Sequence, residues 1–413
     1  MTVRQIIRLG ICLAGLCCGP VSASETRAPE VELLHWWISP GEQAALQEIG
    51  KRVVQEGGVF NAIPMPNYAS LRADVLKRLA LGYPPAVVQW LGGRNIAELS
   101  NLKIIQSLPE NGQEKPLREL LFPEVLGEVV QGETLVALPV VLHIQNTAFY
   151  NASIYRELGL EPPASWQAFI RQARHISAAG FTPLALSAEA WQLRMLFNDI
   201  LLEVLGAEGF RRFYDETRAI ASQRQALRTA LDYFLQLRHF VDDPKQQRRW
   251  NETVALLARQ RAAMLVLGDF VTAELMTAGL KAGDDFLCAM APGSRAVMLY
   301  ALDSFILLNV DEPYLQAGQQ LLVDTVLNPQ VQAAFSTRKG GIPVRYGVKA
   351  DDMDSCTAER YRVWSQPETR KLQPPDSSSR LRLALLEQAV QHIWLEIGSV
   401  EQALEHLLHQ LDD

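Results

Sequence analysis

Tryptophans and hydrogen-bonding side chains recur in this sequence where one secondary-structure element gives way to the next. Trp36-Trp37 ends an apolar run, and Glu42 lies one turn into the segment behind it. Gln89 closes a second run and His143 a third. Trp191-Gln192 opens a helical stretch, and Asp269-Phe270 follows another apolar run. An indole presents a flat apolar face, while carboxylates, amides and imidazoles donate and accept hydrogen bonds around it. That combination suits a pyranose, whose C–H face stacks on an aromatic ring and whose rim hydroxyls each need a partner. Leaving one buried polar group unmatched costs about 1–3 kcal/mol, so such groups supply specificity. The alternative is that the tryptophans are core. Consecutive strand residues face opposite sides, so one of Trp36 and Trp37 is free to serve packing alone.

Signatures of bond-making chemistry are missing. The sequence has no Walker A motif, no GxGxxG, no GxSxG elbow and no HExxH. Its 7 histidines are scattered without metal-ligand spacing, and no CxxC or Cys/His cluster suggests zinc. Asp351-Asp352-Met353-Asp354 lacks the glycine and terminal glutamate of a calcium loop and reads as a solvated loop. One enzymatic reading remains, a glycosidase using Glu42 and Asp303 as paired carboxylates. Sequence does not give their separation.

The elements that must position these residues read as α/β. A strand covers residues 31–37. A helix follows the Pro40-Gly41 break, with Ala45, Leu46, Ile49, Val53 and Val54 on helical spacing, and stops at Gly57-Gly58. A second helix runs from 70 to 81 and a buried strand over 86–90. Residues 135–142 form a strand interrupted by Pro139. A helix begins near Ser165 and ends at Gly180, and long helices dominate from 190 to 262. Apolar strands lie at 263–267 and 304–309, residues 351–379 read as a polar loop, and 381–411 closes the chain with amphipathic helix. Helices alternating with short apolar strands indicate α/β architecture, and 413 residues suffice for two or three cores.

Composition narrows the class further. With 48% hydrophobic and 21% charged residues the chain is neither disordered nor a multi-span membrane protein. The net charge of −7 and the lack of a long basic block disfavour nucleic acid. Residues 1–23 read as a cleavable export leader, with Arg4 and Arg8, an apolar run from Leu9 to Gly19, and Val21-Ser22-Ala23 as the cleavage signal. That run is too short to span a bilayer, which takes about 20 residues. Cys12, Cys17 and Cys18 leave with the leader. Cys288 and Cys356 remain, free to pair in an oxidising compartment or to be two separate buried thiols.

Several of these segments together resemble a known family. Glu32-Leu33-Leu34-His35-Trp36-Trp37-Ile38-Ser39-Pro40-Gly41-Glu42 is similar to the "LHWWTSGGE" of periplasmic glucose/mannose-type sugar-binding proteins of ABC importers, a branch of extracellular solute-binding protein family 1. Val75-Leu76-Lys77-Arg78 with Pro84-Pro85 and Gln89, Pro139-Val140 with His143, Ala190-Trp191-Gln192 and Gly268-Asp269 follow in family order. So do Asp285 to Ser294, Asp303 to Leu307 and Lys339 to Arg345. The resemblance spans about residues 31 to 346.

It implies two α/β lobes joined by hinge strands, a periplasmic-binding-protein-like fold with the ligand cleft between the lobes. Residues 24–142 plus 303–346 would form the first lobe and 143–302 plus 347–413 the second. Trp36, Trp37, Glu42 and Gln89 would line the cleft from the first lobe, and His143 and Trp191 from the second. Asp303 and Lys339 would reach in from the returning segments. A Cys288–Cys356 bridge is implied, with no cofactor and no metal. The resemblance also implies a monomer in the periplasm that docks on an ABC permease. The chain departs from the family at several positions. Pro64 to Ser70 replaces a glycine-rich loop, Ala86 an aspartate and Ile144 to Ala148 an Arg-x-Asn segment. Phe270 replaces a tryptophan, and Pro367 to Ser379 a longer histidine-bearing loop. Those departures give weight to an alternative on the same scaffold: a periplasmic sensing or adaptor protein with altered sugar binding that signals to a membrane sensor.

Overall fold

The computed structural model describes residues 27–109, 115–215, 222–294, 297–372 and 380–412. The leader, with its three cysteines, lies outside them, as do residues 373–379 of the replaced loop. Apolar side chains gather into separate cores around two main sheets.

The first sheet contains β1 (Glu30–His35), β2 (Val59–Pro64), β3 (Val87–Leu91), β6 (Leu138–Ile144), β11 (Val297–Leu307) and β12 (Arg370–Leu372). A small hairpin, β4 (Val130–Gln131) with β5 (Thr134–Leu135), precedes β6. Strand β1 runs parallel to β2 and β3, while β11 pairs antiparallel with both β3 and β6. The second sheet has the order β10-β7-β9-β8, from β7 (Thr147–Asn151), β8 (Thr182–Ala185), β9 (Ala262–Leu267) and β10 (Phe286–Met290). Strands β6, β7 and β9 are buried along their whole length, as near-continuous apolar runs require. The 11-residue β11 follows directly on the second sheet's β10 and joins the first sheet, so it is one of the strands linking the two lobes.

The helices form where caps and periodicity meet. The helix Pro40–Gln55 has Ser39 as its N-cap and Glu42 completing a capping box; Ala45, Leu46, Ile49 and Val53 face inward. Val54, expected on the same face, is exposed. Trp166–Ala178 starts at an N-cap Ser165 and ends before Gly180, whose positive φ of 90° suits glycine. Helices fill much of 190–258 (Ala190–Asp215, Arg224–Leu237 and Trp250–Ala258).

Three expectations change. Pro139 does not interrupt its strand; it lies inside β6, where the pairing with β11 shifts register between Asp303 and Ser304. A bulge there accommodates a residue that has no N–H to give the ladder. Residues 351–379 are not one polar loop. They hold a helix, Ser355–Trp364, whose Cys356, Tyr361 and Trp364 are buried, with Asp354 capping it through the N–H groups of Cys356 and Thr357. Nor does everything after 346 pack in the second lobe. Val348, Tyr361 and Trp364 belong to the first core, Trp364 lying edge-on to Tyr300 at 5.3 Å, while residues 386–411 fill the second. Cys288 in β10 and Cys356 in that helix are joined by a disulfide, Cα–Cα 6.0 Å.

Candidate functional site

The carboxyl ends of β1 and β9, each in a parallel pair, deliver Trp36-Trp37 and Gly268-Asp269 to the junction of the two sheets. Open α/β sheets bind ligands at such strand ends. His143 near the end of β6 and Asp303 within β11 arrive on the linking strands. Lys339 comes from the end of the helix Pro329–Lys339, where Gly340 turns the chain with φ 84°.

These side chains form one connected cluster. His143 Nδ1 lies 2.7 Å from Asp269 Oδ1, and Asp269 Oδ2 accepts the Ile144 N–H at 2.7 Å. His143 Nε2 faces Asp303 Oδ2 at 3.5 Å, an ion-pair contact too long for a normal hydrogen bond. The same Asp303 oxygen accepts the Trp37 indole N–H at 3.2 Å. Lys339 Nζ donates to Glu42 Oε1 at 3.3 Å and lies over the rings of Trp37 and Phe270, 5.4 and 5.8 Å from their centroids. Glu42 Oε2 accepts the N–H groups of Ile38 and Ser39, so this carboxylate also fixes the start of its own helix. Asp269 is wholly buried and Lys339 only 2% exposed, so each needs its partner, His143 for the first and Glu42 for the second.

The electrostatics follow from that pairing. Burial and the Lys339 charge push His143 down, but the Asp269 and Asp303 carboxylates outweigh them, leaving its pKa above the ordinary imidazole value. Burial pushes Asp303 up, yet His143, Lys339 and the Trp37 N–H together hold it below the usual carboxylate range.

Of the eight expected ligand residues, Trp37, Glu42, His143, Asp303 and Lys339 meet directly. Gln89 is one step away, its Oε1 accepting the Trp36 N–H at 3.0 Å and its Nε2 buried without a partner. Trp191 joins through Phe270, which lies 6.5 Å from it, 5.0 Å from Trp250 and 5.7 Å from His143 between ring centroids. The two adjacent indoles divide. Trp36 is half-buried and edge-on to Tyr68 at 5.3 Å. Trp37 is 1% exposed, wedged between Phe305 and Phe335, so its rings are core, and it serves the cluster through its N–H and the ring face under Lys339. Asp269 joins the cluster although its sequence position marks only a polar group after an apolar run, and Arg360 lies behind it at 3.9 Å. A Gly-Asp after an apolar strand was the available sign of the first; the second sits where a loop was expected. Among the described residues no group of three or more His, Cys, Asp or Glu could hold a metal ion, and no helix is long and apolar enough to cross a membrane.

Residues 59–332 match the model of the bacterial extracellular solute-binding proteins. The chain belongs to that family. A relative from Brucella melitensis named "Probable sugar-binding periplasmic protein" is 30% identical over 352 residues, covering 83% of this chain and 81% of its own length. One solved structure, a chitin oligosaccharide binding protein, superposes with a TM-score of 0.76 over 93% of this chain and 98% of its own, at 16% identity. A second, a bacterial solute receptor described as preferring β-D-galactopyranose, gives 0.76 at 14% identity over 93% and 97%. At those identities the two structures establish the fold, which is the two-lobed α/β arrangement. The solute-binding protein thus carries its buried charge cluster where the lobes of that fold meet.

Proposed function

We propose that this solute-binding protein grips a sugar non-covalently between its lobes in the periplasm and delivers it, as a monomer, to the permease of an ABC importer. The cluster joining Trp37, Asp303, His143 and Asp269 carries the reading, because it places hydrogen-bonding groups from both sheets at one junction, next in the chain to the half-buried Trp36. The partnerless Gln89 Nε2 supplies a donor for a hydroxyl. The names of the relatives support the same ligand class. No bond is made or broken in such a cycle, and incubation with aryl glycosides is expected to release nothing.

A thermal-shift screen against glucose, mannose, galactose and short oligosaccharides tests it. A ligand at 1,000 times its Kd stabilises by about 4.1 kcal/mol, which for a chain of this size raises Tm by about 5 °C. An unmoved Tm across the panel removes the transport reading. One observation favours the sensing alternative: Glu42 is fully engaged by Lys339 and by its own helix start. A gene for a membrane sensor beside this one, in place of permease genes, distinguishes that role.

A further inference from the structure

Arg360 lies in the helix Ser355–Trp364, outside every segment that the binding reading uses. The residue is 5% exposed, and the groups around its guanidinium come from three parts of the chain. Nη2 donates to the Gly340 carbonyl at 2.9 Å, to Thr272 Oγ1 at 3.1 Å and to Thr357 Oγ1 at 3.4 Å, while Nε lies 3.9 Å from Asp269 Oδ2. Asp354 is the other carboxylate whose charge it feels. Gly340 immediately follows Lys339, and Asp269 holds the ring of His143. One buried cation therefore touches the backbone beside the first ligand-facing group and the carboxylate that orients the second. Its own position is fixed one helical turn away, where Cys356 is bonded to Cys288 of β10.

We infer that Arg360 is a positioning residue for the sugar site, setting His143 through Asp269 and Lys339 through the Gly340 carbonyl, with the Cys288–Cys356 disulfide holding it in place. The inference rests on the sugar-binding reading for its effect on affinity but not for its effect on His143. A buried point charge at this place is not equivalent: lysine keeps the charge and loses the fork that reaches Gly340, Thr272 and Asp269 together.

The test compares Arg360→Met, Arg360→Lys and the Cys288→Ser/Cys356→Ser double variant, reading histidine titration by NMR and sugar affinity by calorimetry with whichever panel sugar binds the unaltered protein. Arg360→Met is expected to raise the His143 midpoint by about half a pH unit or more, because the Asp269 carboxylate then faces the imidazolium without a competing cation. It is expected to weaken binding at least about tenfold, with Arg360→Lys recovering part of the loss. The double serine variant is expected to weaken binding in the same direction. Should Arg360→Met fail to fold, Arg360→Lys carries the same two measurements with a smaller change. If the variants lose only thermal stability while the His143 midpoint and the affinity stay put, Arg360 is structural and the inference falls. If no sugar binds the unaltered protein, the titration alone decides for or against Arg360, whereas the loss of binding counts against the transport reading.

Discussion

Trp36 and Trp37 share a dipeptide and divide its labour. Replacing Trp37 with alanine empties a core site between Phe305 and Phe335 and leaves Asp303 short of a donor. A loss of about 3–5 kcal/mol is expected in denaturant titrations. Trp36→Ala should leave the melting curve nearly unchanged and abolish sugar binding by calorimetry, since its half-open ring is the one still free to stack. His35, immediately before this pair, makes a separate statement about pH. It is buried, its Nδ1 has no partner, and burial lowers its pKa to about 4. The folded state thus resists the proton that the unfolded chain accepts near 6.5. Stability that is full above about 6.5 drains as the pH falls toward 4, a change of roughly 3 kcal/mol. His143 acts with the opposite sign: its raised pKa adds stability below about 6.5 that is lost as the pH rises through the folded value. Urea melts from pH 7.5 to 4.5, on the native protein and on His35→Leu, separate the two. The variant should lack the acid-side decline; an identical slope in both would assign that decline elsewhere.

Among elements, the bulge in β6 explains Gln332. The register shift at Pro139 leaves Val140 out of the ladder, and the Gln332 amide reaches across to its carbonyl at 3.0 Å. The same side chain donates to Val326 O at 2.8 Å and accepts from Val344 N at 2.9 Å, tying three segments of the first lobe. Gln332→Leu strands all three partners, and a loss of about 2–5 kcal/mol in chemical unfolding is expected. Much at this scale was legible beforehand. Ser39, Ser165 and Gly180 announce helix ends by chemistry that acts locally, and the apolar runs of β1, β3 and β9 need only burial. The partly buried strands β2 and β10 went unread, because their apolar residues lack a long enough run to stand out. The helix Ser355–Trp364 was hidden for a different reason. Its sequence is polar, and what holds it is the disulfide to Cys288 and the packing of its own Tyr361 and Trp364 on Phe122 and Tyr300 from far along the chain. The candidate site divides the same way: residues attached to strand ends were readable, whereas Arg360 acquires its neighbours only through tertiary folding.

For the whole molecule, closure of the two lobes depends on close backbone approach. The Gly41 N–H donates to Glu274 Oε1 across the junction at 2.7 Å, and a Cβ on Gly41 would stand 2.6 Å from that oxygen and 2.9 Å from Ala273 Cβ. Gly41→Val should hold the lobes apart without unfolding either. A larger radius of gyration by small-angle scattering, a weakened sugar affinity and an intact circular dichroism spectrum are expected; an unchanged radius would show that the contact yields. The cores have a further consequence for how the chain comes into being. The first is built from residues as distant as Val31 and Trp364, and the second from Ala148 and Leu411. A polypeptide made from its amino end cannot shut the first until Trp364 exists, nor the second until Leu411 does. Its greasy interior stays open throughout synthesis, which leaves the nascent chain pliable and its apolar side chains exposed to clumping.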